Sequence, residues 1–501
     1  MNSGAMGINR SHVLRAIPKA LRSGYLPELD GFYRGKSADV HSLPDNKLMI
    51  VRTDRVSAFD VVLPELIPFK GQALTELTAA QFLATSSAME NTLVSRPDPN
   101  VLVMQKAEPL DVEFIFRRHI TGSLWRDYSE KGNRGESYGI RLPDGLKEGH
   151  IFENPIYTPT TKAKVGHDEA ITFDRAAELC GQTKEEHNDL VERLTRVFER
   201  GEQMAERAGM ILVDTKYEVG RHDGTLKLID EIHDMDSSRF WDKSDYHDWQ
   251  AGQKKGITER SKEIVRKFLR EEKGYKGQAG VPVPHLSEDV VVETALTYME
   301  VCEDMTSESF KIDLRGRSVA ERIVENLREA GYITGVFVPI IMGSTSDAEH
   351  GKKIQESLKN YGILSEMRVA SAHKNKVLLG KVNAQYSESM ELVVLVTVAG
   401  MSDALSGAEA GESLYPVIAC PPKPSSYDAM FDYWSSIRAP SAVPHMFIAN
   451  PSNVGPAVAK IASLSDYKMR EKVRAEIESM QDKMAADDAK MRESSGPRDR
   501  Q

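Results

Sequence analysis

Cysteine is scarce in this chain: Cys180, Cys302 and Cys420 are the three in 501 residues. Their wide spacing excludes a disulfide framework and a cysteine-built metal site, and fits a reducing compartment. Also lacking is any run of roughly 18 apolar residues, the least a membrane-spanning helix needs. The start, MNSGAMGINRSHVLRAIPKAL, has no apolar stretch of the secretory kind. Arg15, Lys19 and Arg22 are the one hint of a transit peptide there, and the short helix carrying them is read instead as leading into the fold. Positive charge is not in excess: 65 Lys+Arg against 75 Asp+Glu leave −10, which argues against general nucleic-acid binding. There is no GxxxxGK[ST], so a nucleotide site would not be a P-loop. Without an HRD or a DFG, a protein-kinase relative is excluded. Internal repeats are missing too. What remains, 40% hydrophobic and 28% charged residues, is an ordinary globular composition, and the length predicts two to four domains. The expected location is the cytoplasm. The expected partners are small molecules, with no nucleic acid or membrane among them.

Against that background, residues 210–241 stand out: MILVDTKYEVGRHDGTLKLIDEIHDMDSSRFW. Asp214, Lys216 and Glu218 alternate along an apolar run, so a strand puts all three on one face. The His222-Asp223-Gly224 turn reverses the chain into Leu226–Ile229, which returns Asp230 and Glu231 toward the first set. Ser237, Ser238 and Arg239 follow. Carboxylates hold Mg²⁺ and cations hold phosphate, so this pattern suits a metal–triphosphate site. A solvated strand face with salt bridges is the alternative.

The chain divides near residues 307–334. Before it the elements are mixed: strands such as Leu48–Thr53 and Val101–Gln105, then a helix over Lys184–Ala208. After it, apolar strands at Val336–Met342, Glu366–Ala370, Leu392–Ala399, Val417–Ala419 and Met446–Ala449 alternate with helical stretches, the pattern of a doubly wound α/β domain. The division itself reads as an amphipathic helix with Val319, Ile323 and Leu327 four apart. A helix from Asp466 carries Met469, Val473, Ile477, Met480 and Met484 at helical spacing, and is expected to pack on its own domain or on a neighbouring subunit. The final SSGPRDRQ is expected to be disordered.

Further motifs precede the hairpin. Tyr33-Arg34-Gly35-Lys36 forms a glycine turn that would let backbone amides and Lys36 approach phosphate. Then come TDRVSAFD (53–60), IPFKG (67–71), FRRHITGSLW (116–125) and YTPTTKAKVGHDE (157–169). In this order they resemble the SAICAR synthetase family over residues 31 to about 306. The resemblance implies a two-lobed α+β fold whose antiparallel sheets sandwich ATP. It also implies a ligase that joins the carboxylate of an aminoimidazole ribotide to aspartate. A carboxylate is a poor electrophile, so ATP must first make it an acyl phosphate, a transfer that needs alignment and charge neutralisation. By the same resemblance Glu218 and Asp230 are Mg²⁺ ligands and belong with Arg34, Gly35 and Lys36 to the ATP site. Lys216 and Lys162 lie near the reacting groups. Arg117, Ser123 and Arg239 hold the ribotide phosphate, and His167 and Asp168 lie beside the substrate. Two departures stand out. Ala38 replaces a usual basic residue, and Lys164 replaces a usual acid. Asp214 is open between a structural acid and a ligand.

In the second half, Val336–Met342 ends in Gly343-Ser344-Thr345-Ser346-Asp347, and the next strand ends in Ser371-Ala372-His373-Lys374. Turns at the carboxyl ends of parallel strands are where open α/β sheets bind ligands. With Val398–Gly400, PVIACPP and WSSIRAPS, these segments resemble the AIR carboxylase family over residues 335 to about 470, particularly its animal-type, CO₂-using branch. The resemblance assigns Ser344, Ser346, Asp347, Ser371 and Lys374 to the ribotide and makes His373 the proton carrier, a role that suits imidazole because it titrates near neutrality. It requires no ATP, biotin or metal for this step. Met401 replaces an arginine of the family's loop, and Gly411-Glu412-Ser413 departs from its usual turn.

The expected architecture is an α+β two-lobed SAICAR synthetase-like domain (12–306), a helical linker (307–334) and an α/β doubly wound, flavodoxin-like parallel-sheet domain with a C-terminal helix (335–490). The expected function is two steps of purine biosynthesis using ATP and Mg²⁺, in a homo-oligomer, on the family's pattern an octamer, built on the second domain. An active ligase carrying a non-catalytic ribotide-binding or assembly module is the alternative.

Overall fold

The computed structural model describes residues 8–130, 132, 134–162, 168–278, 280–313, 316–423 and 432–494. The chain forms two compact units. The first comprises residues 1–24 and 30–326, the second residues 25–29 and 327–501. The change of unit at 326 falls inside the helix Val319–Glu329, within the stretch read as a linker.

The first unit is α+β. Strands Asp30–Arg34, Ala38–Leu43, Lys47–Arg52, Val101–Gln105 and Leu93–Asp98 form one antiparallel sheet in that spatial order. A second, seven-stranded sheet is organised on the 13-residue strand Met210–His222. That strand pairs antiparallel with Val112–His119, with the return strand Thr225–Ile229, with Ser238–Asp242 and with Glu108–Pro109. Alternation decides its faces. Tyr217 and Val219 are buried in a core shared with Phe114, Phe116 and Phe198, while Lys216 and Glu218 on the other face are only half-buried. The helix Lys184–Arg207 starts where the sequence predicts, because Thr183 and Glu186 form a reciprocal cap.

The second unit is a six-stranded sheet in the order Leu364–Val369, Val336–Met342, Leu395–Val398, Val417–Ala419 and Met446–Phe447, with Leu392–Val393 beside Val336. Every pairing is parallel, and the order 2-1-3-4-5 is that of flavodoxin-like folds. Its central strand is apolar throughout because both faces are covered. Val336, Val338, Ile340 and Met342 pack with Ile354, Leu358 and Val458. Phe337 and Ile341 pack with Leu379, Val382 and Leu405. The expected strand Leu392–Ala399 is broken at Val394, giving Leu392–Val393 and Leu395–Val398.

Residues 25–29 belong to this second unit, which the sequence boundaries miss. Tyr25 bridges Ser389. The Glu28 carboxylate accepts from Thr334 N (2.7 Å), Thr334 Oγ1 (2.6 Å) and Gly335 N (2.6 Å), capping the start of the central strand. The tail helix spans Tyr467–Ser494, and of its residues Met469 is buried. Val473 packs against the same core, whereas Ile477, Met480 and Met484 are exposed, so the predicted stripe packs on its own unit only at its start. The predicted disorder of SSGPRDRQ lies, after Ser494, outside the described residues. No described helix is long and apolar enough to cross a membrane. The three cysteines are buried free thiols.

Candidate active sites

The hairpin forms as predicted. Asp223-Gly224 links Met210–His222 to Thr225–Ile229, with both turn residues at positive φ and Glu218 opposite Ile229. Lys216 Nζ lies 2.8 Å from Glu113 Oε1 and 3.2 Å from Glu218 Oε1, and Lys162 donates to the other oxygen of Glu218. Burial opposes the charge on Lys216, but Glu218 and Glu113 outweigh it and raise its pKa. Burial likewise works against the Glu218 carboxylate, and Lys216 and Lys162 reverse that, holding it below the usual range. Asp230 follows the return strand at φ +64. Burial, then Glu231 and Glu218, push its carboxyl up to about 7. Two neighbouring carboxylates, one of them reluctant to ionise without a cation, form a donor set that suits Mg²⁺ completed by phosphate oxygens.

Sequence reasoning missed two residues here. Arg52, 1% exposed, donates to Glu231 and, at 3.4 Å, to the Asp230 carbonyl, with Asp234 at 3.9 Å. It holds the 230–234 turn from the neighbouring sheet. Glu113 lies two residues from Ile115, the cross-strand partner of Lys216, and so shares its face. The alternation around Glu113 was a usable signal; nothing local marked Arg52.

The residues assigned to the ribotide phosphate also converge. Arg117 donates to Ser123 Oγ (3.1 Å) and Thr158 Oγ1 (3.0 Å) and pairs with Asp214 Oδ2 (2.7 Å). Arg239 Nε lies 3.4 Å from Asp214 Oδ1. The open question over Asp214 thus resolves toward a structural acid: it sits between buried Arg117 and half-buried Arg239 and pairs with both. Burial lowers the pKa of Arg117 despite Asp214. The glycine turn is a hairpin loop closed by Gly35 N donating to Ala38 O at 2.8 Å. In it, Arg34 bonds Ser23 (3.0 Å) and Lys36 pairs with Asp60 (2.7 Å), so neither contacts the Glu218 cluster directly. Lys164 and His167 lie outside the described residues, while Asp168 is an exposed loop residue.

In the second unit one cavity of about 500 Å³ gathers every predicted residue: Ser344, Ser346, Asp347, Ser371, His373 and Lys374. Ser344 caps the turn through Ser346 N (3.3 Å), and Ser371 accepts from Lys374 N (3.3 Å), so both loops are internally braced. Burial raises the pKa of Asp347. Met401 also lines this cavity, 80% exposed and at φ +58, an unfavourable backbone for a side chain of its size. The missed residue here is Asp403. Its carboxylate accepts from Leu405 N (3.1 Å), Ser406 N (3.0 Å), Ser406 Oγ (2.8 Å) and Ser436 Oγ (2.7 Å), anchoring the altered loop to the helix Ala404–Glu412 and to the WSSIRAPS segment.

Comparison with known proteins agrees with both halves. The family model for SAICAR synthetase matches residues 31–282, and that for AIR carboxylase matches residues 337–483. A phosphoribosylaminoimidazole-succinocarboxamide synthase of Bacteroides thetaiotaomicron is 41% identical over 304 residues, 60% of this chain and 95% of the relative. The SAICAR synthase of Saccharomyces cerevisiae, solved with SAICAR, is 29% identical with a TM-score of 0.51, covering 58% of this chain and all of that one. Treponema denticola PurE is 37% identical over 31% of this chain and 98% of its own, with a TM-score of 0.30. The chain belongs to the SAICAR synthetase family and carries, after that domain, an AIR carboxylase domain, so that two enzymes of purine biosynthesis share one polypeptide.

Proposed function

We propose that the second domain (335–490) carboxylates 5-aminoimidazole ribotide with CO₂ and that the first (12–306) couples the product to L-aspartate with ATP, residues 307–334 linking them. The observation that carries this reading is the gathering of all six predicted carboxylase residues around one cavity, taken together with the acids and lysines of the first unit that interlock at Glu218.

In the ligase, Arg117, Ser123 and Arg239 hold the ribotide phosphate, oriented by Asp214. Lys216 and Lys162 offset negative charge as the ribotide carboxylate takes the γ-phosphoryl group and as the aspartate amine then attacks the acyl carbon, forming the amide C–N bond, losing a proton and releasing inorganic phosphate. Arg34, Gly35 and Lys36 lie over the ATP phosphates; Lys36 exchanges Asp60 for them. Glu218 and Asp230 would hold Mg²⁺, which when bound offsets phosphate charge. Arg52 keeps the turn carrying Asp230 in place.

In the carboxylase, Ser344, Ser346, Asp347, Ser371 and Lys374 bind the ribotide and His373 moves the proton. The electron-rich ring carbon attacks CO₂, a C–C bond forms, and the ring C–H proton leaves to His373. The pair of reactions belongs in the cytoplasm, in a homo-oligomer assembled through the second domain.

The test is carboxylation of aminoimidazole ribotide with bicarbonate alone, followed by ultraviolet absorbance, and then ligation on addition of ATP, Mg²⁺ and aspartate. Carboxylation that needs neither ATP nor aspartate and disappears in His373→Asn supports the proposal. Ligation of supplied carboxylated ribotide without any carboxylation from bicarbonate would leave either a domain that uses the N-carboxylated ribotide or a binding module, and offering the N-carboxylated ribotide separates the two.

A further inference from the structure

We propose that the first unit carries a second ligand site, separate from the catalytic cluster, for an aryl or heteroaryl phosphate: a flat aromatic body bearing one phosphate. A cavity of about 400 Å³ lies among the helix Arg10–Ala16 with its continuation Ile17–Lys19, residues 68–69, residues 312–313 and residues 316–319. That is within the usual size of small-molecule sites. It shares no residue with the Glu218 cluster or the Arg117–Arg239 group.

Its walls are apolar, from Ala16, Pro68, Phe69, Ile312 and Val319. Phe69 is held unusually. Its backbone is at φ +66, where aromatic residues are rare, and its ring meets Phe310 edge-on at 6.3 Å and 81°. Phe69 is only half-buried and lines the cavity. Pro68 and Phe69 come from the IPFKG segment, which the ligase site leaves unused.

Charge at the same cavity selects an anion. Of its cations, Arg317 is matched by Asp313 and Glu325, and Arg322 by Asp98. Arg15 and Lys19, four residues apart, have no carboxylate partner among the described residues; Lys19 gives one hydrogen bond, to Gly316 O at 2.6 Å. Asp54, the buried acid in the wall, accepts from Leu21 N (2.8 Å) and Gly71 N (3.0 Å), so its oxygens are turned into the fold. In a chain of net charge −10, two unmatched cations at the edge of an aromatic-walled cavity fit a phosphate placed at Arg15 and Lys19 with its ring against Phe69 and Pro68.

The test uses the full chain and 1-naphthyl phosphate. Equilibrium dialysis counts bound probe per chain, and Arg15→Glu combined with Lys19→Glu is expected to remove one site while both activities and the melting temperature stay unchanged. An unchanged count overturns the proposal. A variant that folds poorly is bypassed by labelling lysine amines in the unaltered chain: the probe should slow modification of Lys19 at least fivefold, whereas 1-naphthol should not. Equal rates with and without probe overturn the site. Equal protection by inorganic phosphate overturns the aromatic half of the assignment.

Discussion

The guanidinium of Arg239 lies where a side chain on Gly122 would be: a Cβ there would stand 2.1 Å from Arg239 Nη1, and Gly122 has φ +60. Gly122→Ala should therefore displace Arg239 from its place beside Asp214. Ribotide KM in the ligase reaction should rise about tenfold, the loss of one charge-assisted contact, with carboxylation unchanged. Steady-state kinetics with varied ribotide checks this.

Glu218→Gln should remove at least about a thousandfold of ligase activity, since it takes away a proposed Mg²⁺ ligand and the anion that pairs Lys162 and Lys216. Raising Mg²⁺ should restore part of it, and carboxylation should stay as it was. Normal ligation by this variant would dismiss the metal assignment.

His373→Asn should do the reverse. The proposed proton acceptor in the second cavity is gone, at a cost of about 10²–10⁴-fold in carboxylation, while ligation of supplied carboxylated ribotide continues. Separate assays of the two reactions on one preparation decide it.

Asp403→Ala should release the loop bearing Met401. The aspartate caps the helix Ala404–Glu412 and receives Ser436, and losing such a cap costs about 1–2 kcal/mol. Carboxylation should fall with it and ligation should not. Differential scanning calorimetry beside both assays would register the two effects.

Glu409 is 1% exposed and neither carboxylate oxygen has a hydrogen-bond partner among the described residues. Burial, and then Glu412, push its carboxyl up to about 7 from an ordinary 4.5. Between those values the folded state keeps a proton that the unfolded chain has released. The stability is therefore full below the window and declines as pH rises through it, by roughly 3 kcal/mol. In Glu409→Gln the decline should be absent, and the variant should be the more stable protein above pH 7. Melting curves from pH 4.5 to 8 measure this directly.

Much of the site was legible because its signals are local. Lys216 and Glu218 fall on one face by the two-residue period of a strand, and Asp223-Gly224 dictates the turn that returns Asp230. The carboxylase residues sit immediately after two strand ends, so predicting the strands predicted the cavity. Arg52 was not legible in the same way, and the alternation around Glu113 gave its face but not its partner strand. Each becomes part of the cluster only through a neighbouring strand or sheet, and a contact made across about 100 or more residues leaves no periodic trace in the chain.

By itself, the sequence determined which segments form the strands and helices that it singled out, that two domains follow one another, and which motif residues stand at their loops, because side-chain periodicity, caps and turn residues act over a few positions. Only the tertiary structure decided that Asp214 spends both oxygens on Arg117 and Arg239, that residues 25–29 cap the second unit through Glu28, and that Lys36 lies on Asp60. A charged side chain chooses among partners by distance and burial, and those exist only once the sheets have paired.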